Sequence, residues 1–177
     1  LFAGCASSQA QEAPHKKLRA ASVEILLNGR LVGSGCVASA SGLVLTANHV
    51  APNDKDNAKL EILSATLGRQ PVAVLARERG HDLLLLALPK RAEAYPHLAV
   101  AAAAPRVGAR VWLHGAPVFR HQITLPGTIA GKNTAFEFYD GAFREIQYIA
   151  ALAPMGTSGG PWVNARAELI GVQSAAM

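Results

Sequence analysis

From Ser22 onward, the sequence repeats one pattern: a short apolar run followed by a turn signal such as the pair Asn28-Gly29. In the first half, the runs are SVEILL, LVGSGCVAS, GLVLTA, KLEILSA, PVAVLARE and DLLLLAL. In the second half, they are ARVWLH, HQITLPGTI, AFEFY, REIQYIAA, GPWVNA and ELIGVQS. Runs of this length, bounded by Gly, Pro, Asn and Asp, are typical of β-strands. The pattern predicts an all-β fold, with six strands in the first half and a second half that is also rich in strands.

Between the two sets of runs, the Ala-rich and Pro-bounded stretch 92–105 has no charged helical face. We interpret it as the link between two halves, with a short helix as the alternative. Before the first run, residues 6–20 are polar and show no apolar periodicity, which is typical of a tether. The predicted organisation is a signal remnant and polar tether over 1–20, a first barrel over 21–95, and a linker with a second barrel over 96–177.

The composition excludes several classes of protein. Half of the 177 residues are hydrophobic, which is enough for one globular domain with a substantial core. The net charge of +5 is compatible with a nucleic-acid or anionic membrane partner. The basic residues are scattered, however, and no stretch interleaves them with aromatic residues as a strand-stacking surface requires. We therefore interpret the charge as solvated surface and predict no nucleic-acid partner. No apolar run approaches the ~18 residues needed to cross a bilayer.

The first residues resemble the end of an export signal, because the small residues Ala3 and Gly4 precede Cys5 as in a lipoprotein cleavage site. Cys5 is therefore a candidate for lipidation and for a membrane tether. A disulfide between Cys5 and Cys36 is the competing interpretation, although two cysteines give no framework pattern. Cys36 lies in an apolar run, so we expect a small buried hydrophobic residue there.

The segment APMGTSGGP over residues 153–161 is the most informative in the chain. Glycines on both sides of Ser158 permit a tight turn that exposes the serine hydroxyl and aims backbone N–H groups at one point, as acyl transfer requires. A plain glycine turn is the alternative. The combination Gly-x-Ser-Gly-Gly-Pro is much rarer than a turn needs, so we interpret Ser158 as a catalytic nucleophile.

Two further segments, GLVLTANHV and HDLLLLAL, each place a polar residue at the end of an apolar run. His49 follows the run that begins at Gly42, and a lone histidine in that place is more often structural than catalytic. Asp82 precedes the run 83–88, where a lone aspartate is usually a turn or cap residue. An aspartate can also fill a specific role there, because a general-base histidine needs an acceptor at Nδ1.

Taken together, TANHV, HDLLLLAL and MGTSGGPWVN resemble the His, Asp and Ser motifs of trypsin-like serine peptidases. The order His, Asp, Ser is that of the chymotrypsin group and excludes the subtilisin and α/β-hydrolase orders. Within that group, the chain most resembles the HtrA (DegP-like) protease domain, on the segments GSGCV, SGLVLTANHV, IQYIAALAP and ELIGV. The resemblance covers about residues 22–173 and is specific at the three motifs.

The resemblance implies two antiparallel six-stranded β-barrels of the chymotrypsin type, with the active site between them. It implies Ser158 as nucleophile, His49 as general base and Asp82 as orienting carboxylate. The backbone N–H groups of Gly156 and Ser158 would form the oxyanion hole. The implied activity is hydrolysis of peptide bonds in unfolded or exported proteins, in the bacterial cell envelope or after secretion. Polypeptides are then the substrates. No cofactor or metal ion is predicted, because the sequence has neither a His-Glu-x-x-His nor a Cys-x-x-Cys spacing.

The resemblance also assigns Leu152 and Ser174 to the primary specificity pocket. We expect Leu152 to be buried at the base of that pocket, where it offers no counter-charge for Arg or Lys. This predicts cleavage after small or medium aliphatic residues. The remaining histidines belong to no motif, and we expect surface or core roles for them: His15, His81, His97, His114 and His121.

The sequence stops at Met177, directly after the run that flanks the substrate in this family, so we expect the second barrel to lack its closing strand. A latent or inactive protease fold that serves as a binding module is therefore the alternative function. The oligomeric state is left open, with a homo-oligomer as one option.

Overall fold

The computed structural model of the protein describes residues 8–51, 59–132, 135–138, 141–144 and 146–174. Within these residues, the chain forms one α-helix, two curled antiparallel sheets and a separate hairpin, which confirms the predicted all-β fold. The helix α1 spans Ser8–Ala21. The strands are β1 Ser22–Leu27, β2 Arg30–Val37, β3 Leu43–Ala47, β4 Leu60–Ser64, β5 Gly68–Pro71, β6 Ala73–Glu78, β7 Leu83–Ala87, β8 Arg110–Gly115, β9 Ile123–Lys132, β10 Ala135–Phe138, β11 Gly141–Arg144, β12 Gln147–Ala151, β13 Pro161–Val163 and β14 Leu169–Val172.

The first sheet has the strand order β5-β4-β1-β2-β3-β7-β6. Its strands correspond to the six predicted runs, with β5 as an additional short strand before β6. The turn between β1 and β2 is made by Asn28 (φ 50°) and Gly29 (φ 78°), which is the pair of positive φ angles that a tight hairpin needs. Strand β7 buries Leu84 and Leu86 completely, so alternate residues of the LLLLA run face the core.

The second sheet has the strand order β12-β9-β8-β13-β14. The predicted run REIQYIAA divides between two strands, because Arg144 ends β11 and Gln147 begins β12. Strands β10 and β11 pair only with each other in the described chain, and β11 lies beside a short 3-10 turn, Arg79–His81, of the first half. That turn directly precedes Asp82.

Three groups of buried side chains fill the molecule. One fills the concave face of the first sheet and includes Ile25, Ile62 and Leu84. Another fills the second sheet around Leu113 and Trp162. A third lies between helix α1, the linker and both sheets, and its members are Leu18, Ala21, Cys36, Leu98, Val163 and Leu169. The two sheets are therefore packed together by apolar contacts as well as by the site described below.

The segment predicted as a polar tether is instead mostly helical. Helix α1 ends at Ala21, and both Leu18 and Ala21 are buried against Cys36 and Val163. Leu18 and Ala21 are one helical turn apart, so two apolar residues are enough to dock the last turn of an otherwise polar helix. No helix in the described ranges is long and apolar enough to span a membrane. The predicted signal remnant, with Cys5, lies outside the described residues.

The linker 92–105, which is described throughout, contains no helix and runs along both sheets. Leu98 donates its backbone N–H to the carbonyl of Val37 in the first sheet, and Val100 pairs with Leu169 of the second sheet. The predicted buried thiol is present, since Cys36 is a free and fully buried cysteine. Burial raises the pKa of Cys36 to about 12, so the thiol is neutral and unreactive.

Candidate active site

His49 lies in a short 3-10 turn, Asn48–Val50, that directly follows strand β3. Its Nδ1 is 2.7 Å from Oδ2 of Asp82, and its backbone N–H donates to Oδ1 of the same carboxylate at 3.0 Å. Because an ionised carboxylate only accepts hydrogen bonds, Nδ1 of His49 carries the proton. The lone pair of the neutral ring is then on Nε2, which is the atom a general base needs.

Asp82 is held in a left-handed backbone conformation (φ 52°) between a 3-10 turn and β7, and is only 6% exposed. Ser174, at the end of the second sheet, donates its hydroxyl to Oδ2 of Asp82 at 2.5 Å. Burial alone would raise the pKa of Asp82, but the hydrogen bonds from His49 and Ser174 outweigh it, and the pKa lies below its ordinary value. The carboxylate is therefore ionised at neutral pH.

Arg77 of strand β6 braces the turn that carries His49. Its Nη1 donates to Oδ1 of Asn48 at 3.1 Å and to the carbonyl oxygen of Ala51 at 3.2 Å. These two acceptors stand on either side of His49 in the sequence, so one guanidinium group holds both ends of the turn. Asn48 is also bound through its backbone N–H to the carbonyl oxygen of Asp82. The position of the imidazole is thus fixed from two strands of the same sheet.

The predicted nucleophile, Ser158, lies in a glycine loop that packs against the first sheet. Its carbonyl oxygen accepts a hydrogen bond from the backbone N–H of Ser34 in β2, at 2.7 Å. The next residue, Gly159, donates to the carbonyl oxygen of Gln173 at 2.7 Å. The loop therefore stands between β2 of one sheet and the end of the other.

Two glycines of this loop are required by their conformation and by their surroundings. Gly159 has φ 83°, and a Cβ atom there would lie 2.1 Å from both the carbonyl oxygen of Ser34 and Oγ1 of Thr46. Gly156 has φ 91°, and a Cβ atom there would lie 2.2 Å from the carbonyl oxygen of Ala116. Any side chain at either position would displace backbone atoms.

The backbone donors of this loop fall into two groups. Thr157 and Gly160 donate within the loop, to the carbonyl oxygens of Pro154 and Thr157. In the part of the chain that the structure describes, the N–H groups of Gly156 and Ser158 donate to no backbone carbonyl. These are the two amides predicted for the oxyanion hole, and they are available to bind a developing negative charge.

A cavity of about 630 Å³ lies between β12 and β14. Its lining is largely aliphatic and includes Val100, Ile149, Val172 and the polar residue Ser174, and no carboxylate side chain occurs among the described residues that line it. The prediction for Leu152 is wrong: this side chain is 72% exposed and does not line the cavity. Leu152 follows the end of β12 and lies outside the sheet, so strand pairing does not turn its side chain toward the core.

The model of the trypsin-like peptidase domain family matches residues 33–172 of this sequence. The chain belongs to the trypsin-like peptidase family. It is 27% identical, over 151 residues, to the probable membrane transporter protein MamO of Magnetospirillum gryphiswaldense. That match covers 85% of this chain but only 24% of the MamO protein, so the peptidase domain spans about a quarter of its curated relative.

Solved structures share the fold. The MamO protease domain from Magnetospirillum magneticum, in its apo form, superposes with a TM-score of 0.76 at 24% identity, covering 90% of this chain and 86% of that one. The active form of the Rv3671c protease from M. tuberculosis superposes with a TM-score of 0.80 at 20% identity, covering 99% of this chain and 78% of that one. An inactive form of Rv3671c gives a TM-score of 0.77 at 21% identity, with coverages of 99% and 88%.

In this peptidase fold, the structure brings most of the predicted site residues to one seam between the sheets. His49 and Asp82 are hydrogen-bonded, Ser174 reaches them from the second sheet, and the Ser158 loop is bound to β2. Among the described residues, no hydrogen bond joins the hydroxyl of Ser158 to the ring of His49. No group of three or more metal-binding side chains occurs in the described ranges.

Sequence reasoning missed the residues that hold this seam together. Arg77 is one of the scattered basic residues that the sequence predicts as solvated surface. Ser34 lies in a segment that was noticed only for its resemblance to a family motif. In each case the partner is remote in the sequence, and no local spacing signals it. The only available signal was the asparagine of TANHV, whose side chain needs a donor such as that of Arg77.

Proposed function

We propose that this trypsin-like peptidase domain is an active HtrA-type serine endopeptidase, in which Ser158 attacks the scissile carbonyl and His49 takes its proton. The observation that carries the proposal is the carboxylate-bound imidazole of His49, in the same seam as a glycine loop whose amides at Gly156 and Ser158 donate to no backbone carbonyl of the described ranges. Asp82 keeps the imidazole in the tautomer whose Nε2 accepts the serine proton. The two amides bind the oxyanion of the tetrahedral intermediate, and loss of one such donor typically costs about 3 to 4 kcal/mol.

We propose unfolded or exported polypeptides as substrates and the bacterial cell envelope as the location. Support for the location comes from the relative in M. gryphiswaldense, which is named as a probable membrane transporter protein. A lipid on Cys5 would supply the membrane tether, and intact-mass measurement of the protein from its native host tests for that lipid. The aliphatic cavity, which has no carboxylate among the described residues of its lining, favours cleavage after small or medium aliphatic residues. In a peptide-library digest, preferred cleavage after Lys or Arg would contradict this specificity.

The decisive experiment is labelling with a fluorophosphonate probe, followed by intact-mass measurement. The parent protein should gain one probe mass, and Ser158→Ala should gain none. Ser41→Ala is the matched control, because Ser41 is an exposed serine whose hydroxyl is bonded only to that of Ser39, and it should label like the parent. Asp82→Asn should label on the order of 10⁴-fold more slowly, because the wrong histidine tautomer is then stabilised. Labelling of both the parent and Ser158→Ala, or of neither, would contradict the proposal.

The second candidate function is a latent protease fold that binds polypeptides without cleaving them. The observation that favours it is the missing hydrogen bond between Ser158 and His49 within the described residues. Hydrogen bonds of this kind are often long in ligand-free enzymes and tighten when substrate binds, so the observation does not outweigh the His49–Asp82 pair. A parent protein that binds an unfolded polypeptide but neither cleaves it nor takes the probe would support this second function.

A further inference from the structure

A strained loop, residues 116–122, bridges the first sheet and the nucleophile loop, and we name it the bridging loop. Three of its residues have positive φ angles without being glycine: Val118 (50°), Phe119 (56°) and Gln122 (55°). A positive φ at a β-branched residue such as Val118 is a genuine outlier, of the kind that persists only when surrounding contacts enforce it. The contacts that enforce this strained conformation therefore indicate which part of the molecule the bridging loop positions.

The middle of the bridging loop holds the peptide unit between Met155 and Gly156. The backbone N–H of Val118 donates to the carbonyl oxygen of Met155 at 2.7 Å. In a trans peptide, the carbonyl and the N–H point in opposite directions. Binding the carbonyl of Met155 on one side therefore directs the N–H of Gly156 to the other side. That N–H is one of the two amides assigned to the oxyanion hole.

Both ends of the bridging loop are attached to one face of the first sheet. At one end, the backbone N–H of Ala116 donates to Oγ of Ser34 at 3.0 Å, and the same hydroxyl donates to the carbonyl oxygen of Gly156 at 2.7 Å. At the other end, Nδ1 of His121 lies 2.7 and 2.9 Å from the two carboxylate oxygens of Glu24. Glu24 and Ser34 are directly opposite each other in the antiparallel pair β1–β2, so their side chains share a face.

The attachment between His121 and Glu24 pairs a buried carboxylate with an exposed histidine. Glu24 is only 4% exposed, whereas the His121 side chain is 67% exposed. A buried carboxylate is costly unless it is paired, and within the described residues the hydrogen-bonding partner of Glu24 is His121. Because the carboxylate only accepts, Nδ1 of His121 carries a proton and donates. The pair thus tethers the far end of the strained loop to the sheet.

We propose that Glu24 and His121 are positioning residues, which act through the bridging loop to hold the Gly156 amide in its oxyanion-binding orientation. The proposal rests on the proposed hydrolase function for its catalytic consequence, but the tether itself is independent of that function. Loss of the tether releases the strain at Val118, frees the carbonyl of Met155 and lets the 155–156 peptide rotate. The expected consequence is a lower kcat with an almost unchanged KM, because the oxyanion forms only after substrate is bound.

The test compares Glu24→Gln with the double variant Glu24→Gln/His121→Ala. Glu24→Gln removes the buried charge and keeps an oxygen that accepts from His121, so the second substitution removes the tether without leaving a charge unpaired. Hydrogen exchange of the Val118 amide reports the contact with Met155 directly, and the double variant should lose protection at least about tenfold. With an unfolded protein substrate, kcat should fall about 10- to 100-fold while KM changes less than about twofold.

Two further variants complete the design. His121→Gln in the parent keeps a side-chain donor and should retain most of the Val118 protection. His97→Ala removes an exposed histidine whose ring nitrogen lies within hydrogen-bond distance of the carbonyl oxygen of Tyr95, outside the bridging loop, and should resemble the parent. Unchanged Val118 protection in the folded double variant would overturn the tether. Lost protection with an unchanged kcat would overturn the positioning role. A parent that neither cleaves nor labels would instead refute the hydrolase function, and the exchange measurement would still decide the tether.

Discussion

The two halves of the site are held in place by different kinds of contact. The imidazole of His49 is positioned by side chains of its own sheet, with Asp82 on one side and Arg77 on the other. The loop of Ser158 is positioned by the close approach of its backbone to the first sheet, with Gly159 between the carbonyl oxygen of Ser34 and the hydroxyl of Thr46. Side-chain contacts can be removed one at a time, whereas close backbone contact tolerates no added atom. The stability of the protein should therefore fall gradually when contacts of the first half are removed, and abruptly when atoms are added to the second half.

The largest effect on stability is expected for Gly159→Ala, which tests the half of the site that contains the Ser158 loop. The new Cβ would lie 2.1 Å from the carbonyl oxygen of Ser34, at a φ of 83° that a residue with a side chain adopts only with strain. Overpacking and backbone strain together should lower the free energy of unfolding by about 3 kcal/mol or more. Urea unfolding measures this loss.

Gly131→Ala in strand β9 is the matched control, because its Cβ would meet only Tyr148 at an ordinary 3.6 Å. It should lower the free energy of unfolding by less than about 1 kcal/mol. Equal decreases in the free energy of unfolding for Gly159→Ala and Gly131→Ala would mean that the Ser158 loop accommodates an added side chain. The proposed difference between the two halves of the site would then be wrong.

The second largest effect is expected on stability at acid pH, where a histidine of the first half differs from a histidine of the second sheet. His49 is half exposed and faces a carboxylate, whereas His114 of β8 is 1% exposed and has none. Burial, with the nearby charges of His15 and Arg19, lowers the pKa of His114 to about 4. In the unfolded chain, His114 takes up a proton near pH 6.5, whereas in the folded chain it stays neutral until about pH 4. The contribution of His114 to the free energy of unfolding is therefore fully present above pH 6.5 and decreases as the pH falls toward 4.

At pH 4, the contribution of His114 should reduce the free energy of unfolding by about 3 kcal/mol relative to pH 7. Urea titrations at a series of pH values measure this slope. His114→Gln removes the titrating group and should flatten the slope between pH 6.5 and 4, whereas His97→Gln, on the linker, should leave it unchanged. The same slope in His114→Gln and in the parent would mean that acid acts elsewhere in the molecule.

The same contrast explains what the sequence could predict. The strands were predictable because each apolar run signals its own structure, and the motifs around His49, Asp82 and Ser158 are local and specific. The short strand β5 was missed because GRQP is polar, and β5 forms by pairing with β4. Helix α1 was missed because Leu18 and Ala21 are the buried residues among its described side chains, and two such residues give no apolar periodicity. Outside the three motifs, contacts between distant segments have no signal in the local sequence pattern.

Leu152 shows the same limit inside the site. Its place in the family motif predicted a buried pocket base, yet the side chain is 72% exposed. A motif fixes the spacing along the chain but not which side chains pack over a residue. The bridging loop is the other instance, because neither Glu24 nor His121 has a local neighbour that reveals their contact. Positions near the nucleophile were therefore predictable in chemical type and not in their supporting contacts.

The smallest effect is expected for Ser174→Ala, which removes a hydroxyl that follows the second sheet and donates to the carboxylate of Asp82 in the first half. Asp82 loses one of its hydrogen bonds but keeps those from His49, so the imidazole stays in place. A hydrogen bond to a charged group typically contributes about 1.5 to 3 kcal/mol. A water molecule that replaces the Ser174 hydroxyl as a partner of Asp82 reduces the cost of the substitution. We expect kcat/KM to fall about tenfold.

The pKa of Asp82 gives a readout that does not depend on catalysis. In the parent, the stabilisation from this ionised carboxylate is present above its unfolded pKa and is lost as the pH falls through the lowered folded pKa. In Ser174→Ala the folded pKa of Asp82 should rise toward its ordinary value, so the loss of stability that this carboxylate causes in acid becomes smaller and is complete at a higher pH. Carbon NMR of the carboxyl group measures the shift, and Ser174→Thr, which keeps a hydroxyl, should restore the parent value. An unchanged pKa of Asp82 in Ser174→Ala would show that the two halves of the site are not coupled through this contact. The gradual response of the first half would then depend on the contacts of His49 and Arg77 and not on Ser174.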